Sequence, residues 1–573
     1  MQNQDVAGFF DQIADMLEVG EDANFFRIRA YRNAARAIRD YPAPLSGLDA
    51  KALAEIPGIG ADLAGKIDTI LKTRDLPLYR ELAAKVPAGL IDLMRLPGLG
   101  PKRVRLLSER LKIRDAADLK RAAEAGALRT VRGFGEKMEA QILQSLSRQQ
   151  AAGEGKRILY AEAARAADEL LAYMRKSARG SKIEIAGSMR RKRDTIGDLD
   201  VLAISPQPGR VLQRFLGYPG VKSKLASGDT KAAVLLNDGL QVDLRVVPAE
   251  SYGAAMVYFT GSKAHCVHLR RIAQVAELML NEYGLYRGGK PIAGKTEEGI
   301  YRALGLRWIP PEIREDRGEI EAAEKNELPK LIERSDLRGD LHTHSTYTDG
   351  RASIEQMARA ARDAGLEYFA VTDHSQHLAM VHGLDPARLR EQWREIDRVA
   401  ARVKGIRLLR GIEVDILEDG SLDLPDDVLA ELDWVVASVH YKLDQDEKQM
   451  TRRLIAAIRN PHVDVIGHPS GRLIGRREPS RFDQGEVLKV AREEGCALEV
   501  NSQPDRLDLT DTACMAARQA GVKLVVSSDS HHTRDFALLE YGVNQARRGW
   551  LQPADVINTR PLEHLRQRAR PAR

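Results

Sequence analysis

The residues of this sequence best suited to chemistry on phosphate esters are three aspartates and a set of histidines. Asp198 and Asp200 lie two apart in GDLDVLAIS, a β-rich run, so both side chains point to one face of a strand. Asp243, in LQVDLRVV, offers a third carboxylate from another strand. Grouped carboxylates of this kind hold the two divalent ions, about 4 Å apart, that nucleotidyl transfer to a 3′-hydroxyl calls for. Standing alone, a DxD pair is more often a surface strand with two acids. The histidines are unevenly spread: 11 of 13 follow Arg338, and the other two, His265 and His268, share one helix. DLHTHS sets His342 and His344 two apart at a strand end, with Asp349 in the loop that follows. Later strand ends supply His374, Glu413, His440, His468 and the pair Asp529 and His531. A lone histidine is usually structural, but these nitrogen and oxygen donors all fall at C-terminal strand ends, where a parallel barrel places its chemistry. Mixed imidazole and carboxylate donors suit Mn or Zn better than Mg.

The elements that must position these groups differ along the chain. From about Lys182, the runs KIEIAG, GDLDVLAIS, KAAVLLN and LQVDLRVVP read as short strands separated by turn residues. After Arg338, β-rich segments ending in DLHTH, VTDH, GIEV, SVH, IGH, EVN and SSDSH alternate with helical patterns, which predicts seven βα units in a closed or nearly closed barrel. Nearer the N-terminus a hairpin signal recurs as IPGIG (Ile56 to Gly60), LPGLG (Leu96 to Gly100) and a looser VRGFG (Val131 to Gly135). The glycine pairs Gly58 and Gly60, Gly98 and Gly100, and Gly133 and Gly135 permit a tight turn that aims successive backbone N–H groups at one anion. One copy would be an ordinary helix connection. Three copies, followed by basic helices such as GPKRVRLLSERLK with Lys102, point to phosphate binding. The charged, proline-punctuated stretch from Ile309 to Asp336 reads as an exposed connector.

Composition sets limits. A chain of 573 residues is expected to form three to five units. It has no run of about 20 apolar residues to span a bilayer. Its N-terminus lacks the basic start and apolar centre of a secretory signal, which predicts a cytoplasmic protein without membrane contact. Cys266, Cys496 and Cys514 are single and odd in number, which excludes a disulfide framework or a CxxC site. A net charge of +6 and a pI near 9.0 mildly favour a polyanionic partner.

The hairpin copies resemble the helix-hairpin-helix module, which grips DNA phosphates without reading bases. The segment GSMRRKRDTIGDLD, Gly187 to Asp200, resembles the nucleotidyltransferase signature. Together with YFTGS at Tyr258 to Ser262 it is similar to the polymerase beta-like core of the family X DNA polymerases. The resemblance implies that Asp198, Asp200 and Asp243 are catalytic and bind two Mg or Mn ions, with Asp243 nearest the primer hydroxyl. Arg190 and Arg191 follow the Gly-Ser turn where they could hold phosphates, and the resemblance implies that Gly187, Ser188, Arg191 and Gly197 meet the triphosphate of a deoxynucleotide. Tyr258, Phe259 and Gly261 would lie by the deoxyribose, and Arg270 toward the template. After TGS the family pattern has an acid; this chain has Lys263, a cation suited to the triphosphate or base. The stretch AYRNAARAIRDYP before IPGIGADLAGKID resembles the family's small lyase domain, with Lys66 at the Schiff-base position and Tyr31 as its aromatic companion. Phe26 replaces the usual histidine, so Lys66 equally fits a helix lysine touching phosphate.

The C-terminal part resembles the polymerase and histidinol phosphatase (PHP) domain, with every ligand position filled. The resemblance implies up to three Mn or Zn ions: His342, His344, Glu413 and Asp529 on one; Glu413 bridging to a second with His440 and His468; and Asp349, His374 and His531 on the third.

The implied chain is multidomain. A lyase-like helical domain with the first hairpin spans 1–85, a helix-hairpin-helix region 86–150, an α+β nucleotidyltransferase palm 151–250, and a nucleotide- and template-binding subdomain 251–310. A linker at 311–337 leads to a distorted TIM-like (β/α)7 barrel at 338–573. The implied function is gap filling on gapped or nicked duplex DNA by a monomer, in base excision repair or end joining. The barrel would add metal-dependent 3′-to-5′ exonuclease action, 3′-end processing and cleavage at abasic sites. Two alternatives are a small-molecule phosphatase with a DNA-binding arm and a polymerase whose PHP domain is purely structural.

Overall fold

The computed structural model describes residues 3–20, 24–41, 45, 48–56, 58–94, 96, 99–136, 138–139, 142–143, 146, 157–176 and 181–565. The chain forms two compact units, Met1–Lys156 and Arg157–Arg573.

Amphipathic helices make up the first unit. Asn24, Asp49 and Asp115 open three of them by accepting hydrogen bonds from the first-turn N–H groups. Their apolar faces meet in one core that includes Phe10, Ile13, Tyr31, Ile38, Ile67, Val104 and Leu119. The three hairpins repeat one geometry: Ile59 N–H donates to Ile56 C=O (2.9 Å), Leu99 to Leu96 (3.0 Å) and Phe134 to Val131 (3.0 Å). All six of these apolar residues are buried, which anchors each turn. The glycines do the opposite. Gly58 and Gly133 take φ of +90° and +96°, and a Cβ on Gly58, Gly60, Gly100, Gly133 or Gly135 would meet nothing within 4 Å. Gly98 lies outside the described residues.

In the second unit a five-stranded sheet runs in the order Lys182–Ile185, Asp198–Ile204, Gln241–Val246, Lys231–Leu236, Val221–Ser227. Only the pair Asp198–Ile204 and Gln241–Val246 is parallel. Helices Tyr160–Arg175 and Pro208–Leu216 fill one core against it, through residues such as Leu170, Phe215, Val201 and Val242. Across the sheet, Tyr252, Ala255 and Met256 of helix Tyr252–Thr260 pack with Leu202. That helix leads through the TGS turn into helix Lys263–Val275 and a three-stranded antiparallel sheet, Met279–Asn281, Gly284–Arg287 and Lys290–Ala293.

The segment expected to be an exposed linker, 311–337, is packed instead. Arg314 and Glu319 are fully buried. Their charges are matched inside: Arg314 donates to Glu297 at 2.6 Å, and Glu319 lies 2.6 Å from His265 Nδ1. Charge density signals exposure only when partners are absent. Here they come from residues distant in sequence.

Ile158–Leu159 and Thr195–Ile196 form a small antiparallel pair, and seven further strands are parallel and in chain order, from Gly339–Asp340 to Leu524–Ser527. Trp434–Ser438 and Ala497–Asn501 are buried along their whole length, as strands covered on both faces must be. Leu409, Trp434, Val436, Val465 and Ala497 belong to an inner apolar plug, and Ile412 and Val414 to the core beneath the helices. By the period of two, Glu413 shares the inner face with Leu409. First and last strands are joined at one end by a Thr343–Ser530 bridge and by His344 N–H donating to Ser530 C=O (2.8 Å). At the other end the fully buried Asn558 donates to Gly339 C=O (2.7 Å) and Val526 C=O (2.8 Å) and accepts from Val526 N–H (3.1 Å), doing the work of an eighth strand.

Candidate active sites

In the five-stranded sheet the register sets Asp200 directly beside Asp243 and Asp198 beside Gln241. Gln241 Nε2 donates to Asp243 Oδ2 at 2.6 Å and orients that carboxylate. Burial, then repulsion from Asp198 and Asp243, pushes the Asp200 carboxyl up to about 7. Asp198 is shifted up too, by burial and then by Asp243. Half-buried carboxylates crowded in this way suit cations. Gly187 is required beside them: its φ is +62°, and a Cβ there would stand 2.3 Å from Asp200 Oδ2. At Gly197 a Cβ would lie 3.2 Å from Arg157 Nη1. Ser188 follows Gly187 in the turn, and its carbonyl accepts from Arg193 N–H (3.1 Å).

The two arginines of GSMRR separate. Arg190 forks onto Glu297 (2.8 and 2.7 Å) and donates to Thr260 Oγ1 (2.9 Å), so it braces the TGS turn rather than facing a phosphate as the sequence suggested. Arg191 donates from Nε to Glu315 (3.0 Å) and from Nη1 to Thr260 C=O (2.6 Å), leaving Nη2 as the edge that can serve an anion. The aromatic rings of Tyr258 and Phe259 stand edge to face at 5.0 Å. Arg270 lies over Tyr258 at 5.6 Å, and Lys263 is exposed at the start of its helix. Gly261 is tightly enclosed; a Cβ would approach His265 to 2.8 Å and Cys266 Sγ to 2.9 Å. In the first unit, Lys66 is ion-paired with Asp62 and sits 5.6 Å from the Tyr31 ring. Lys102 is exposed in the first turn of the helix that Gly100 opens, and Phe26 is 80 % exposed.

The barrel mouth gathers all nine donors. Three groups bring single donor atoms within 4.8 Å of one another: His344, Asp349, His374 and His531; His342, His344 and Asp529; and His374, Glu413 and His440. Among the described residues no other triad of such donors meets that distance; the palm aspartates are neighbours by register, not a set this tight. Glu413 lies 3.4 Å from His342, 3.7 Å from His344, 2.8 Å from His374, 3.3 Å from His440 and 3.0 Å from His468. That hub position fits a bridging carboxylate. The grouping differs from the expected partition in that His344 and His374 each stand in two groups, Glu413 stands in one and His468 in none, and His374 lies nearer Glu413 than Asp349.

Buried donors without partners test whether metals fit. His342 Nε2, both nitrogens of His344, His374 Nδ1 and Glu413 Oε2 are buried and make no hydrogen bond. His374 Nδ1 and Glu413 Oε2 are close yet misaligned with each other, as two ligands of a common ion would be. Burial first, and then His531 and His374, draw the His344 pKa down to about 3, whereas at His342, His374, His440 and His531 the neighbouring carboxylates outweigh burial and raise it. Burial opposes the charge on Glu413 and Asp529. It is overcome by His342, His374 and His440 around the first and by His342, His344 and His531 around the second, so both carboxyls stay well below the usual range. His468 and Asp529 carry φ of 25° and 52°, strained for non-glycine residues and held at this site.

Supporting residues escaped the sequence reading. Glu499 meets His342 Nδ1 (2.7 Å) and accepts from His468 N–H (2.6 Å). Asn501 donates to Asp529 (3.0 Å), and Asp415 meets His440 Nδ1 (2.5 Å). Such partners fix ring orientation. A signal existed, since Asp415 follows Glu413 by two and Glu499 and Asn501 continue the inner face of their strand.

Comparison with known proteins agrees with this layout. Residues 1–76 match a helix-hairpin-helix domain, 90–148 a SAM-like helix-hairpin-helix tandem, 255–315 the DNA polymerase beta thumb, and 340–503 the PHP domain. The chain is 38 % identical over 569 residues, 99 % of each sequence, to the DNA polymerase/3′-5′ exonuclease PolX of Bacillus subtilis (strain 168). A probable phosphatase of Thermoanaerobacter sp. (strain X514) is 30 % identical over 246 residues, which are 40 % of this chain and 95 % of that protein. A probable phosphatase of Vibrio campbellii is 30 % identical over 35 % of this chain and 80 % of its own length.

Proposed function

The chain belongs to the bacterial family X DNA polymerases with a C-terminal PHP domain, and we propose that it is a repair polymerase that fills gaps in duplex DNA and trims 3′ ends. It would act as a cytoplasmic monomer on gapped or nicked duplexes, with end processing extending to abasic sites. The observation that carries this reading is the presence of two intact donor sets in one chain, one beside Gly187 in the palm and one at the barrel mouth. The phosphatase alternative predicts a degraded palm, and a purely structural barrel predicts lost ligands. Neither is seen. Among the described residues no helix is long and apolar enough to cross a membrane.

In the palm, Gly187 and Ser188 offer the triphosphate a turn without side-chain obstruction, and Arg191 adds its Nη2 edge. Tyr258 and Phe259 form a wall suited to the deoxyribose, Arg270 backs Tyr258 toward the template, and Lys263 supplies an exposed cation near the same turn. Asp198, Asp200 and Asp243 would hold two Mg or Mn ions, and the nine barrel donors up to three Mn or Zn ions, whose chemistry is to neutralise phosphate charge and polarise the reacting phosphorus–oxygen bond. In the barrel, Asp349 and His531 are the more exposed donors, at 30 % and 32 % of their side chains, so a 3′ terminus enters on their side. His342, His344 and Glu413 are sealed beneath. The three hairpins hold the duplex by its phosphates. Asp62 pairs with Lys66, which favours a phosphate contact over Schiff-base chemistry.

Incubation of a 3′-labelled gapped duplex with Mn, with and without nucleotides, tests both sites together. Asp200→Ala should lose extension by at least roughly a hundredfold and keep degradation; His344→Ala should do the reverse. Extension by Asp200→Ala at the wild-type rate would remove the polymerase assignment.

A further inference from the structure

Between the Gly187–Ser188 turn and the strand bearing Asp198 and Asp200 runs the loop Arg190 to Asp194. The barrel grips it directly at both ends and, through Tyr160, at the middle. At one end, Arg548 Nη1 donates to the Arg191 carbonyl (2.7 Å) and to Glu315 (3.1 Å), the carboxylate that also receives Arg191 Nε. Arg548 is itself 3 % exposed and fixed through Nη2 to Asp511 at 2.5 Å. In the middle, Lys192 takes a left-handed φ of 59° and donates to Tyr160 Oη (2.9 Å), while the barrel's Tyr541 packs edge-on against Tyr160 at 5.9 Å. At the far end, Arg472 reaches Asp194 Oδ2 at 3.3 Å, its other nitrogens held by the carbonyls of Arg506 and Leu507, each at 2.7 Å.

We propose that the barrel is a working part of the polymerase site, with Arg548 and Arg472 as positioning residues that hold the triphosphate-binding loop in shape for nucleotide addition. The proposal rests on the reading of Ser188 and Arg191 as triphosphate contacts. The left-handed Lys192 in this loop is a conformation that surrounding contacts must maintain, and small displacements of a binding group are costly. Polymerase and nuclease are then joined for a physical reason: the phosphate grip of one is completed by side chains of the other. Arg548 and Arg472 are not among the barrel's donor residues, so hydrolysis by the same protein distinguishes a lost brace from a damaged barrel.

Steady-state gap filling by the full chain tests this, with 3′-to-5′ hydrolysis measured on the same preparations. Arg548→Ala should raise the KM for deoxynucleotide roughly tenfold with a smaller change in kcat, while hydrolysis and DNA affinity stay at wild-type values. Arg548→Lys should restore part of the loss, and Arg548→Ala with Arg472→Ala should exceed either alone. Arg191→Ala serves as the reference. If it raises KM and Arg548→Ala, still hydrolysing DNA normally, does not, the brace is refuted and the triphosphate reading stands. If neither variant moves KM, both fall. Should Arg548→Ala fail to fold, as loss of hydrolysis would reveal, Arg472→Ala is judged by the same criteria.

Discussion

Asp200 shows how far single residues determine the chemistry. Its carboxyl, pushed up to about 7 from 3.8 by burial and two neighbouring aspartates, carries a proton that a divalent ion must displace whenever the pH is below 7. Apparent Mg affinity at the palm should therefore rise with pH until about 7 and then level off. Titration calorimetry in two buffers of different ionisation enthalpy would detect proton release at pH 6 and little at pH 8.5. The stability sign is the reverse of a salt-bridged aspartate's. The folded form binds this proton more tightly than the unfolded form, so the burden on the fold is absent below the unfolded pKa and complete above about 7. Asp200→Asn should thus raise Tm at pH 8.5 and leave it nearly unchanged at pH 3.5. Glu413 and Asp349 give a second contrast. With five histidines around it, Glu413→Ala should cost the full chain more than one bound Mn by elemental analysis after dialysis against limiting Mn. Asp349→Ala should cost at most one. Equal losses would remove the bridging assignment. The donors themselves were legible from residue type and spacing. Their partners were not, because Arg190 and Arg191 are alike in sequence and are told apart only by Glu297 and Glu315, more than a hundred positions away.

The hairpins were the most legible elements, since apolar residues at fixed offsets from two glycines encode both the anchor and the exposed turn. If they hold phosphates, binding of gapped duplex should weaken linearly in log affinity with log salt and show little sequence preference. Deleting residues 1–150 should raise the DNA dissociation constant at least roughly tenfold, with barrel metal content unchanged; equal binding by the truncated chain would reduce the hairpins to connectors. The barrel strands were legible for a similar reason, six of the seven carrying or leading into a donor. Residues 311–337 misled because their glutamates and arginines are spent on internal pairs such as Arg314 with Glu297. Local composition carries no trace of a partner supplied from elsewhere.

At the scale of the molecule, 157–573 is one compact unit rather than a polymerase tethered to a nuclease. Domain order could be read along the chain, but this fusion could not, since it depends on interface arginines that resemble surface charges in sequence. The metal and activity measurements therefore belong on the full chain. A barrel excised at Arg338 would leave Asp511 and Arg548 without Arg317 and Glu315.

The side chain of Asn558 has a consequence at this scale too. At the end opposite the Thr343–Ser530 bridge, the edges of the first and last strands are linked through that amide and the segment carrying it. Asn558→Ala would strip three backbone groups of their partners, at a cost of about 3 kcal/mol, visible as a lower melting temperature. The larger effect should be social. Bare strand edges are templates for other chains, so the variant is expected to self-associate with rising concentration, by light scattering, at temperatures where the parent stays dispersed. One buried asparagine would thus keep two strand edges from pairing with other chains.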